Sequence, residues 1–83
     1  MTPIAMPDLG VEPGQIIRLS HWFAARGDHV YEGDRLVEVL VDGASFDVSS
    51  PATGSLRVML QFPDDALRPG CILGWIELEN AED

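Results

Sequence analysis

The sequence predicts a small all-β domain, a sandwich or barrel of short strands. Short runs rich in Val, Ile, Leu or Phe recur along the chain, and glycine or proline separates one from the next. Two of the runs are joined by the corner Asp42-Gly43, and Asp-Gly between β-formers is a strong short-range hairpin signal. With 83 residues there is room for one domain and a modest core.

In chain order the runs are Ile4 to Met6, Gln15 to Trp22, Leu36 to Val41, Ala44 to Ser49, Ser55 to Gln61 and Ile72 to Leu78. Breaks fall at Pro7 to Gly14, Gly27, Gly33, Gly43, Pro51 to Gly54, Pro63 and Pro69-Gly70. One helical turn is expected over His21 to Arg26, ended by Gly27 and too short to stand alone. Residues 1–78 read as the domain, and 79–83 as an acidic tail or the start of a linker.

A faint repeat adds an architecture. Gly14 precedes "QIIRL" and Gly54 precedes "SLRVM"; Val30 and Leu67 each stand three residues before a glycine, and Leu36 and Leu73 three residues after it. Two halves of this kind predict two stacked four-stranded sheets related by a pseudo-two-fold axis, with the chain ends at one pole and the Asp-Gly hairpin at the other.

Outward from the turn, the pairing sets Val41 opposite Ala44, Val39 opposite Phe46 and Val37 opposite Val48 on the core face. The other face receives Leu40 with Ser45, Glu38 with Asp47 and Leu36 with Ser49. Leu40 is out of place there, because that face should meet solvent.

Composition narrows the function classes. Apolar residues make up 46% of the chain, which argues for a folded domain. Fourteen acidic residues against five arginines give a net charge of −9, so neither nucleic acid nor an anionic membrane surface is an expected partner. Cys71 is the single cysteine, which fits a reducing compartment and a cytoplasmic location; in "PGCILGWIEL" it reads as a packing residue. His21 and His29 have no ligand cluster of metal-site spacing, no glycine-rich phosphate loop precedes a helix, and the carboxylates are scattered. No metal site and no catalytic residue is expected.

The ordered set "MPDLG", Trp22, "GDHVYEGDRLVEV", "SSPATG" and "GCILGWIE" resembles, over residues 4–78, the lipoyl domains of 2-oxo acid dehydrogenase complexes. The resemblance implies a flattened eight-stranded barrel, a barrel-sandwich hybrid of two four-stranded sheets. It also implies a Thr-Asp-Lys-Ala corner on an exposed hairpin, whose lysine carries lipoic acid, or biotin in the sister family. Here Asp42 and Ala44 match, whereas Gly43 holds the lysine position and the chain has no lysine at all. An amide-linked arm needs a primary amine, which arginine does not supply. No lipoyl or biotinyl cofactor is therefore expected.

Lipoyl domains usually carry Glu where this chain has Leu40 and Thr where it has Val41, so the hairpin has become apolar. These changes go beyond a single engineered Lys-to-Gly replacement and read as natural degeneration. The loop Pro7 to Gly14 resembles the segment beside the lysine hairpin that helps partner enzymes recognise a lipoyl domain. Leu9, Val11, Leu40 and Val41 are accordingly the candidate partner-binding residues. Three functions follow from different classes: a non-enzymatic protein-binding or assembly module with a protein partner or as a homodimer, a carrier modified elsewhere with Cys71 the available thiol, or a barrel-sandwich piece of a biotin-dependent enzyme or transport adaptor.

Overall fold

The computed structural model describes residues 1–79, so most of the acidic tail, residues 80–83, lies outside the described residues. Eight strands form: β1 (Thr2–Ala5), β2 (Ile17–Trp22), β3 (His29–Val30), β4 (Arg35–Val41), β5 (Ala44–Ser49), β6 (Gly54–Met59), β7 (Ala66–Leu67) and β8 (Ile72–Leu78). They make two four-stranded antiparallel sheets, ordered β1-β8-β6-β3 and β5-β4-β2-β7. This is the all-β, two-sheet architecture the sequence predicts.

The two-fold relation holds in detail. Advancing each strand by half the chain turns β1-β8-β6-β3 into β5-β4-β2-β7, and β2, β3 and β4 match β6, β7 and β8 in length. A bulge between Leu19 and His21 where β2 meets β4 has its counterpart between Leu56 and Val58 where β6 meets β8. The repeat residues Val30, Leu67, Leu36 and Leu73 are all buried. Around them Ile4, Met6, Ile17, Leu19, Val37, Val39, Val41, Val48, Leu56 and Ile76 complete one core between the sheets.

Two glycines make the close strand packing possible. A Cβ on Gly74 would run into the carbonyl oxygen of Val58 and lie 3.3 Å from the Trp22 ring, and one on Gly54 would run into the carbonyl of Glu77. Trp22 itself is half-buried and donates its indole N–H to the Gln61 carbonyl at 2.9 Å, a packing role with its polar atom satisfied.

Two local expectations are corrected. His21 to Arg26 is not helical: His21 and Trp22 finish β2, and Ala25 to Asp28 is a tight turn. In that turn the Asp28 carboxylate accepts from the Ala25 N–H at 2.9 Å, and the Asp28 N–H donates back to the Ala25 carbonyl at 3.0 Å. Leu36 does not sit on the outer face opposite Ser49. A bulge between Arg35 and Val37 pairs Arg35 with Ser49 and drives Leu36 into the core, where it is 0% exposed.

Candidate functional site: the β4–β5 hairpin and the loop beside it

The hairpin register is Val41 with Ala44, Leu40 with Ser45, Val39 with Phe46, Glu38 with Asp47 and Val37 with Val48. Asp42 and Gly43 both have positive φ, 49° and 83°, so the two-residue connection is of type I′, whose twist matches that of the strands. Asp tolerates the left-handed region better than most residues, and glycine enters it without steric cost. The space around Gly43 is open: a Cβ placed there meets nothing within 4 Å.

The two strands of the hairpin differ: β4 is buried up to Val41 beside the turn, whereas β5 runs along the open edge of its sheet. Along β5, Ala44, Ser45, Phe46 and Asp47 are exposed, and Val48 is the first buried residue from the tip. Phe46 points to the core side, as alternation requires, yet stays 41% exposed because it sits on the edge strand of its sheet.

Loop 6–16 is bound to this tip through Gln15. Its side-chain amide donates to Asp42 Oδ2 at 2.6 Å, and its Oε1 accepts from the Glu12 N–H at 2.6 Å. The Gln15 N–H closes the turn onto the Glu12 carbonyl at 3.1 Å. Asp42 thus shapes the turn and also receives the loop.

The sequence-derived partner residues divide. Leu40 lies on the outer face between Arg18 of β2 and Ser45 of β5 and is 39% exposed. Val41 faces inward and is 6% exposed, so its side chain belongs to the core and offers nothing to a partner. Leu9 and Val11 are half-buried and pack against the core, supporting the loop instead of joining Leu40 in an open patch.

Sequence reasoning missed Ile16, Arg18 and Asp64. Ile16 is 52% exposed and, with Gly14, Arg18, Leu40, Asp42 and Asp64, borders a shallow cavity of about 400 Å³ on the outer face. Arg18 is held there by donating to the Asp64 carbonyl at 3.0 Å. The signal was available: in a strand of period two, the pair Ile16-Ile17 must turn one isoleucine outward.

The remaining chemistry is sparse. His21 Nδ1 lies 3.3 Å from Glu38 Oε1 on one sheet, and His29 Nε2 lies 3.1 Å from Glu79 Oε1 on the other. No group of metal-ligating side chains forms among the described residues. Cys71 precedes β8, half-buried against the core. No described helix is long and apolar enough to cross a membrane.

Eight strands in two symmetric sheets, with an Asp-Gly hairpin and a loop tied to its tip, define a biotinyl/lipoyl-type domain. Residues 2–76 match the profile of the biotin/lipoyl family, described as biotin-requiring enzyme, and the chain belongs to that family. It is 31% identical over 78 residues to a lipoamide acyltransferase component of the branched-chain alpha-keto acid dehydrogenase complex from Pseudomonas putida, covering 94% of this chain and 18% of that protein. It is 33% identical over 82 residues to the dihydrolipoyllysine-residue acetyltransferase component of the pyruvate dehydrogenase complex of Corynebacterium glutamicum, covering 96% of this chain and 12% of that protein. The chain therefore spans less than a fifth of the length of these curated relatives. The solution structure of the lipoyl domain of the 2-oxoglutarate dehydrogenase complex from Azotobacter vinelandii superposes with a TM-score of 0.76 at 19% identity, covering 96% of this chain and all of that domain.

Proposed function

We propose that this protein is a lipoyl-type domain that bears no swinging arm and acts, without catalysis of its own, as a protein-binding module. The observation that carries the reading is Gly43 at the exposed tip of the β4–β5 hairpin, in a chain without a single lysine. The fold presents the corner as a carrier would, and the group to which an arm is joined is missing. By likeness to relatives named as acyltransferase components of 2-oxo acid dehydrogenase complexes, the partner is an enzyme of such an assembly. It would contact the outer face at Leu40 and Ile16, where the acidic rim of Asp42 and Asp64 favours a basic surface.

Intact-mass analysis after treatment with excess lipoate ligase or biotin ligase tests this directly. The expected mass is that of the bare chain; a gain of one lipoyl or biotinyl unit would overturn the reading. The same measurement on protein from its native host addresses a carrier modified at Cys71, which would appear as an acyl or thiol adduct.

A further inference from the structure

The four sheet edges are not alike. β3 and β7 are two residues long, and β1 carries Pro3, which has no N–H, together with a bulge between Ile4 and Ala5. Short strands, proline and bulges are the usual means of blunting an edge against unwanted pairing. β5 has none of them. It is six residues long, contains neither proline nor lysine, and among the described residues has β4 as its only strand neighbour.

The type I′ turn determines which of its main-chain groups are free. Val41 and Ala44 close the turn as a hydrogen-bonded pair, so Val39 with Phe46 and Val37 with Val48 are hydrogen-bonded pairs too. Ser45 and Asp47 then point their N–H and C=O groups away from β4, toward the open edge. Among the described residues neither makes a main-chain hydrogen bond to another element, and Ala44 to Asp47 are all exposed. Charge is no obstacle locally: the one ionised residue of β5, Asp47, lies 3.5 Å from Arg35 Nη1.

We propose that β5 is a self-recognition edge, on which two copies of this chain pair antiparallel about a two-fold axis at Phe46. In this register Ser45 faces Asp47 of the second copy and exchanges both main-chain hydrogen bonds with it, and the reverse pair does the same. Phe46 meets its own counterpart in the close, non-hydrogen-bonded position, which covers an aromatic ring now 41% exposed. A register two residues toward the body of the sandwich would centre on Val48, already buried in its own core, and one centred on Asp47 would set like charges face to face. The interface is isologous, as a closed dimer requires. This inference is independent of the proposed function, because it uses the edge of the hairpin and not its tip or outer face.

Sedimentation velocity on the 83-residue protein, from about 10 μM to about 1 mM, should show reversible growth from the 9.1 kDa chain to a dimer. With −9 on each copy, raising the salt from about 0.05 M to about 0.5 M should tighten the dimer by screening. Ser45→Pro removes only an edge-facing donor and should weaken dimerisation about tenfold or more, because two symmetry-related bonds are lost together. The register is read in a Cys71→Ser background: Phe46→Cys should cross-link to itself on mild oxidation, whereas Ser45→Cys and Asp47→Cys, each one residue off the axis and so two residues along from its own counterpart, should not. A chain that stays monomeric at the highest concentration and salt overturns the proposal. Cross-linking through Asp47→Cys but not Phe46→Cys overturns it as well.

Discussion

The Gln15 side chain donates a 2.6 Å hydrogen bond to the Asp42 carboxylate across 27 residues of sequence, joining the loop after β1 to the turn of the β4–β5 hairpin. Both groups are exposed, so the bond adds little to global stability. Its effect is local: it fixes how the loop stands against the hairpin tip. Gln15→Ala should therefore leave the free energy of global unfolding within about 1 kcal/mol of the parent while speeding amide exchange at Glu12, whose N–H loses the Gln15 Oε1 acceptor. Hydrogen exchange followed by NMR reads both quantities, and unchanged exchange at Glu12 would show that the loop is held by Leu9 and Val11 alone.

Gly74 allows a test of the sheet itself. It lies in β8, between β1 and β6, where a Cβ would overlap the Val58 carbonyl and press on Trp22. Because the obstruction is main chain, no rotamer relieves it. Gly74→Ala should lose about 3 kcal/mol or more in urea denaturation, at the upper end for a single methyl group. Gly27→Ala, with open space around it but a φ of 96°, should cost closer to about 1 kcal/mol.

These contrasts show what a linear reading of the chain reaches. Alternation and turn chemistry suffice for the hairpin register from Val37 to Val41, and the glycine-spaced repeat suffices for two symmetric sheets. Bulges are beyond such a reading, since an inserted residue leaves composition and spacing intact; hence Leu36 moves from the expected outer face to the core. Edge position is equally hidden. Val39 and Phe46 share a face and a register position, yet Val39 is buried and Phe46 is not, because burial depends on how far the second sheet extends. At the candidate site, Leu40 stood out as an apolar residue on a polar face, while the link from Gln15 to Asp42 came from chain distant in sequence and left no local signal.

Gly43→Lys asks whether the corner can still take an arm. A lysine side chain has room there, and the cost is the left-handed φ of 83°, on the order of 1 kcal/mol. The variant should remain folded by circular dichroism and gain the mass of a lipoyl group with a lipoate ligase, at least slowly. A folded variant that the ligase ignores would show that Leu40 and the Gln15-bound loop have also removed what the enzyme recognises.

Leu40→Glu separates surface from core. Leu40 is 39% exposed between Arg18 and Ser45, whereas Val41 beside it is 6% exposed, so the two positions should respond in opposite ways. Burying one leucine on a partner is worth roughly 1.5 to 3 kcal/mol, enough to matter in a complex that other contacts also hold. Glutamate at position 40 restores the residue that lipoyl domains usually carry and faces Arg18, so folding should be unharmed. Capture of a 2-oxo acid dehydrogenase-type partner from the native host, or its titration once purified, should fall about tenfold or more with Leu40→Glu while the thermal midpoint holds. Val41→Thr should lower the midpoint by placing a hydroxyl in the core, and leave affinity for the partner unchanged in whatever fraction stays folded. Equal loss of stability in both variants would mean that Leu40 is a structural residue, and unchanged partner affinity in a stable Leu40→Glu protein would move the docking surface away from this face.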